Sequence, residues 1–189
     1  MKTIITAFKL VLFMTLLTGI IYPVFIYLVA KTVFPQKSEG SFVKVNDKII
    51  GSELLGQKFE SKKYFQSRPS AINYQPMPSG ASNLAPTSQS LKSNVDSLRK
   101  AYILLNGLPE NTEVPPDAVF ASGSGIDPHI SPANALLQAT RISKERNFDE
   151  TKKNQLFDLI NTYTEKPQFG FLGDSRINVF NLNIELDKL

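Results

Sequence analysis

The chain is 189 residues long, 42% hydrophobic and 20% charged, a balance that excludes a disordered polyelectrolyte. Its net charge of +4 does not make it a nucleic-acid binder. Lys2, Lys9, Lys31 and Lys37 are the only charges before Ser38, so 17 basic residues face 17 acidic ones beyond it, and no basic patch is left for phosphate contact.

The absence of cysteine excludes disulfides, thiolate catalysis and Cys-based metal sites, and the single histidine, His129, excludes any site needing two imidazoles. A short tail, residues 1–9, precedes 21 uncharged residues, 10–30. As a helix this run reaches about 32 Å, enough to cross a hydrocarbon layer of about 30 Å. Gly19 and Pro23 are tolerated in such a helix, Pro23 as a kink and Gly19 as a close-packing position for a neighbouring helix. Tyr22, Phe25 and Tyr27 crowd toward its C-terminal end, where an aromatic belt belongs. A signal peptide has a shorter apolar core and a small-residue cleavage site; Val29, Ala30, Lys31 and Thr32 supply a poor one. The run reads as a retained single-pass anchor whose flanking lysines suit lipid headgroups. Lys2 and Lys9 on one flank, and Lys31, Lys37, Lys44 and Lys48 on the other, leave sidedness open, because folded domains cross largely regardless of charge.

Residues 31–40 read as a linker and 41–189 as an α+β domain. Weak strands are expected over 42–50 and 118–121. Residues 64–90, rich in Ser, Pro, Asn and Gly, read as a long ordered loop. Three helices follow. The first is expected over 94–106, with Val95, Leu98, Tyr102 and Leu105 at helical spacing and Gly107 and Pro109 as its stop. The second opens at Ser131-Pro132 and ends near Arg146. The third spans about 149–163. The alternation of Phe180, Leu182, Ile184 and Leu186 with Asn181, Asn183, Glu185 and Asp187 predicts a terminal strand, with a bulge near Val179.

Two loops carry candidate chemistry. In residues 121–132 the glycines Gly123 and Gly125, the hydroxyls of Ser122 and Ser124, and Asp127 precede a helix start, where free N–H groups can hold a phosphate or carboxylate. A tight structural loop with an ordinary cap is the favoured reading of them, because no Walker lysine follows. His129 is open to a metal or base role, and more often such a residue caps or packs. The second loop, 78–86, offers Ser79, Gly80, Ser82 and Asn83 to a polar ligand or partner, or is a plain surface loop. Arg68 is the only charge between Lys63 and Lys92; it can clamp a partner carboxylate or pair internally. An anchored Ser/Lys hydrolase is the alternative class. Ser-x-x-Lys occurs at Ser41–Lys44 and Ser97–Lys100, without the accompanying elements of penicillin-type enzymes and without a G-x-S-x-G elbow. No aspartyl-phosphate motif is present, and one span cannot enclose an ion path.

Several segments, in one order, resemble the c chain of the Kdp potassium-transporting ATPase, the KdpC family: the apolar N-terminus and residues 51–59, 64–70, 79–86, 122–131, 176–179 and 182–187. Ala81, Phe120 and Ser175 depart from the family pattern, where glycine, threonine and proline are usual. The resemblance implies a non-catalytic accessory subunit of the bacterial plasma membrane with its domain outside the cytoplasm. Its implied partners are a channel-like potassium-translocating subunit, an ATP-hydrolysing P-type subunit and a small stabilising subunit. It implies no cofactor of its own and a catalytic-chaperone role, raising the ATP affinity of the hydrolytic subunit. Ser79, Gly80, Ser82, Asn83, Ser122, Gly123, Ser124, Gly125 and Asp127 are the expected nucleotide or partner contacts, and Gly19 and Arg68 further partner contacts.

Overall fold

The computed structural model describes every residue except Asn46, which lies inside the expected strand region 42–50 and outside the described residues. The chain divides into two units, Met1–Ser52 and Glu53–Leu189.

In the first unit one continuous helical rod, Lys2–Val33, is 32 residues long and apolar enough to cross a membrane, and none of it is buried within the chain. It comprises α1 (Lys2–Leu16), a π-helical turn (Leu17–Ile21) and α2 (Tyr22–Val33). Pro23 explains the turn. Its ring would collide with the carbonyl of Gly19 and it has no N–H to donate, so the preceding backbone widens, and the Tyr22 N–H reaches back to Leu17 O. A short helix, α3 (Pro35–Ser38), leads to an antiparallel hairpin of β1 (Phe42–Val45) and β2 (Lys48–Ser52), irregular between Val43 and Lys44. Ser52 Oγ donates to Gly40 O at 2.7 Å and closes the hairpin base.

The second unit is built on helices: α4 (Gln89–Asn106), α5 (Pro132–Glu145), α6 (Glu150–Thr162) and α7 (Val179–Leu186), with one small antiparallel pair, β3 (His129–Ile130) and β4 (Ile177–Asn178). Side chains at helical intervals fill the core: Ala135, Ala139 and Ile142 from α5, Leu156 and Ile160 from α6, Val179, Leu182 and Leu186 from α7, joined by Phe65, Ile130 and Ile177.

Three expectations are corrected. The terminal strand is a helix. Val179, Leu182, Asn183 and Leu186 are buried at intervals of three and four, and Asn178 caps the turn by accepting from Asn181 N, so the strand ends at Asn178 and no bulge forms at Val179. Residues 118–121 form no strand, because the 3₁₀ turn Pro116–Ala118 closes on Pro115 and Pro116 carbonyls instead. The first helix of the body begins five residues early, at Gln89, because Ser88 accepts from Leu91 N and serves as its cap. The other ends stand as expected: Gly107 terminates α4 in the left-handed region, Ser131 caps α5 and Asp149 caps α6.

Residues 64–88 are irregular, and at the start of this stretch side-chain amides replace strand partners. Asn183 accepts from Phe65 N (2.8 Å) and donates to Phe65 O (2.9 Å); Gln138 does the same for Gln66 at 2.8 and 3.3 Å. Arg141, buried on α5, spreads its guanidinium over Asn106 Oδ1, Gln138 Oε1, Tyr64 O and Lys62 O. Burial lowers its pKa from the ordinary arginine value.

Candidate functional site: two stitched loops and a charged cleft

The two loops singled out from sequence meet in the fold. Gly80 N donates to Ser124 O at 3.0 Å, and Ser70 Oγ donates to Gly125 O at 2.6 Å. Gly125 is left-handed at φ +72°, and a Cβ there would stand 2.5 Å from the Ile72 side chain and 2.7 Å from Gly80 O. Only glycine allows this approach. Gly80 itself carries no such demand, since a Cβ on it would meet nothing within 4 Å. Tyr74 closes the same stretch by donating its hydroxyl to Arg68 O at 2.6 Å, and burial raises its pKa.

Three N–H groups of the 122–129 loop that could face an anion are engaged by the chain's own oxygens. Gly125 N donates to Ser122 Oγ, Ile126 N to Ser124 Oγ and His129 N to Asp127 Oδ1. At the N-terminus of α5, where a phosphate would profit from the helix dipole, stands the carboxylate of Asp117. It accepts from Ser131 N (2.8 Å), Ser131 Oγ (2.9 Å) and Asn134 Nδ2 (2.9 Å). Asn134 passes the network on to Tyr102, whose hydroxyl donates to its Oδ1 at 2.8 Å, and burial followed by the nearby Asp117 charge drives the phenol pKa upward.

Arg68 pairs internally. Its NH1 lies 3.1 Å from Asp127 Oδ2, its NH2 reaches Phe120 O at 3.5 Å, and its buried Nε meets no acceptor among the described residues. The opposite oxygen of Asp127 lies 3.1 Å from His129 Nδ1. Burial raises the Asp127 pKa, but the hydrogen bonds to His129 and the Arg68 charge outweigh it, and the carboxyl is held below the ordinary carboxylate value. Gly56 packs under this triad, with Gly56 N on Ile126 O at 2.7 Å and room for no Cβ, which would stand 2.6 Å from Asp127 O. Arg68, Asp117, Asp127, His129, Asp174 and Arg176 are among the residues that line a cleft of about 800 Å³.

Four residues that organise this region, Asp117, Asn134, Gln138 and Arg141, were not foreseen. Asp117 had a signal in its Pro-Pro-Asp turn. Asn134 and Gln138, with Arg141, fall at intervals of four and three, a polar stripe on the same face as the apolar residues of α5. The hydroxyl of Ser97 is occupied within its own helix, donating to Ser93 O at 2.9 Å.

The chain matches the family model described as the c chain of the K+-transporting ATPase, KdpC, over residues 4–188. The chain belongs to the KdpC family. It is 46% identical over 179 residues to the potassium-transporting ATPase KdpC subunit of Leptospira interrogans serogroup Icterohaemorrhagiae serovar copenhageni, covering 95% of this chain and 90% of that one. It is 44% identical over 187 residues to the KdpC subunit of Methylococcus capsulatus, covering 97% and 96%. To the KdpC subunit of Mycobacterium bovis it is 39% identical over 190 residues, covering 100% and 99%. Segments that carry the KdpC resemblance hold the body together: 79–86 bonds to 122–131 through Gly80, and 182–187 clamps 64–70 through Asn183. Of the three departures from the KdpC pattern, Phe120 contributes its backbone carbonyl to Arg68, so the side chain there is free to differ.

Proposed function

We propose that this chain is the non-catalytic accessory subunit of a high-affinity, ATP-driven potassium uptake complex, anchored in the bacterial plasma membrane by its single apolar helix. The observation that carries the reading is the family match along essentially the whole chain, which takes in the apolar rod as well as the body. The partners are a potassium-translocating channel-like subunit, an ATP-hydrolysing subunit and a small stabilising subunit, with lipid around the rod. Gly19 supports docking in the membrane, because among the described residues nothing beyond its own helix backbone lies within 4 Å of where its Cβ would stand. The body lies outside the cytoplasm, where it meets no ATP. Its chaperone effect on ATP affinity is therefore a coupling free energy passed through the assembly; a tenfold change in KM corresponds to about 1.4 kcal/mol. The carboxylate of Asp117 at the α5 N-terminus supports an indirect role, since a nucleotide phosphate there would face like charge. No observation favours the hydrolase alternative.

Affinity purification of the tagged chain from membranes in mild detergent tests this. The other subunits co-elute, and removing the chain from the purified assembly raises the KM for ATP several-fold. A chain that elutes alone, or an assembly whose ATP dependence is indifferent to it, overturns the proposal.

A further inference from the structure

Among the described residues of 41–52, the β1–β2 hairpin and its base, only the polar Ser41 and Ser52 are buried. Phe42 is 55% exposed and Ile49 52%, and Val45 and Ile50 are exposed as well. A two-stranded hairpin standing alone is marginally stable in water, so apolar strands displayed in this way call for a covering surface. The hairpin does not hang on a slack tether. A run of hydrogen bonds joins it to the end of the rod: Phe34 N donates to Ala30 O (2.8 Å), Ser38 N to Phe34 O (2.9 Å), Ser41 N to Gln36 O (3.0 Å) and Ser52 Oγ to Gly40 O (2.7 Å). Gly40 and Ser41, left-handed at φ +99° and +52°, make the corner where α3 gives way to β1. Lys31, its ammonium 5.7 Å from the centroid of the Tyr27 ring, marks the level at which the rod leaves the hydrocarbon. The four residues of α3 add about 6 Å of rise, so β1 starts close to the headgroups.

Charge and strand register select lipid as the cover. Over residues 31–52, Lys31, Lys37, Lys44 and Lys48 outnumber Glu39 and Asp47. Next to the turn, each cross-strand pair joins a lysine to an apolar side chain, Lys44 opposite Ile49 and Lys48 opposite Val45, all of them exposed. A protein pocket that took in these apolar groups would bury the ammonium groups beside them, which is costly, and lysine is depleted at such interfaces. A bilayer surface takes both. The aliphatic groups enter the acyl boundary, while the lysine stems carry their charge back to the phosphates. We propose that the hairpin lies in the interface of the bilayer that the rod crosses, with Phe42, Val45 and Ile49 at the acyl boundary and Lys44 and Lys48 on the headgroups of anionic phospholipid. A single rod is free to tilt and rotate, and an interfacial hairpin stitched to its end restricts both. This rests on the anchored reading above and adds a second membrane contact to it.

The chain has no cysteine, so a single fluorophore can be placed on Ile49→Cys of the full chain in vesicles of phosphatidylcholine, with and without phosphatidylglycerol. Ile20→Cys, at the middle of the uncharged run, is the reference for the bilayer centre. Nitroxides carried near the headgroup end of the acyl chain quench position 49 about threefold or more above those carried near the methyl end, and position 20 shows the reverse order. Omitting phosphatidylglycerol, or introducing Lys44→Gln/Lys48→Gln, lowers the quenching at position 49 by about half or more and leaves position 20 unchanged. In the assembled complex in native membranes, a benzophenone side chain at position 49 is photoactivated and its product identified by mass. A lipid adduct supports the proposal. A product with another subunit or with a second copy of this chain, a position 49 reached only by quenchers dissolved in water, or indifference to both the lysines and the lipid charge overturns it. If alkaline carbonate strips the wild-type chain from the vesicles, the anchored reading itself has failed, a result separate from a retained chain whose position 49 faces water.

Discussion

Replacing Arg141 by Met lowers the stability of the folded chain by about 3–5 kcal/mol, the cost of removing one partner from a buried charged network. Methionine keeps the apolar stem but supplies no donors. Asn106 Oδ1, Gln138 Oε1 and the carbonyls of Lys62 and Tyr64 lose their common donor, while Gln138 remains bonded to Gln66 N. The effect exceeds that of a surface arginine because the group is buried and four acceptors converge on one planar fork. Arg141→Lys keeps the charge and loses the fork, so it recovers less than half of the loss. Chemical unfolding of the detergent-solubilised chain, followed by near-UV dichroism, gives the ordering wild type, Lys variant, Met variant. A Lys variant equal to wild type would mean that charge alone, without fork geometry, holds residues 62–64 to α5.

Gly125→Ala has the second large effect and acts at the candidate site. The methyl group meets the Gly80 carbonyl at 2.7 Å and the Ile72 side chain at 2.5 Å, while the backbone stays in a region unfavourable to L residues. Conformational cost and overpacking together come to about 2–4 kcal/mol. Ile72 can turn aside, but the Gly80 carbonyl is backbone, so the 78–86 loop must move off the 122–125 turn. The Gly80 amide, bonded to Ser124 O in the wild type, then exchanges with solvent at least tenfold faster. Gly80→Ala, with open space at its Cβ, leaves both stability and the exchange of residue 80 within twofold. Equal exchange in the Gly125 variant and wild type would mean that the loops do not depend on this contact.

The parts of the fold that could be read from sequence are those fixed by local chemistry. Ser131-Pro132 and Asp149 mark helix starts because an N-cap needs only a side-chain oxygen within three residues, and Gly107 marks a stop because it alone enters the left-handed region cheaply. The 179–186 segment reads as a strand from sequence because Leu182 and Leu186 satisfy both a two-residue and a helical period. The decision lay with Asn178 as cap and with Asn183, whose amide is needed inward to hold Phe65. A polar residue at a buried position breaks the helical pattern for any reading by hydrophobicity alone. The same blindness hid the stripe of Asn134, Gln138 and Arg141. The pairing of Arg68 with Asp127 spans 59 positions and has no local signature, so sequence left internal and external partners open; the fold places them 3.1 Å apart. That the two Ser/Gly loops touch was likewise beyond local reasoning, although each had been singled out for its own composition.

As proposed above, this chain acts through the assembly it joins. Potassium uptake from micromolar external potassium, measured in cells that carry the other subunits and lack this one, tests it most directly. Uptake is expected to be abolished in those cells and restored by re-expressing the full chain, rod and body together. Uptake that proceeds at the wild-type rate without the chain would contradict it.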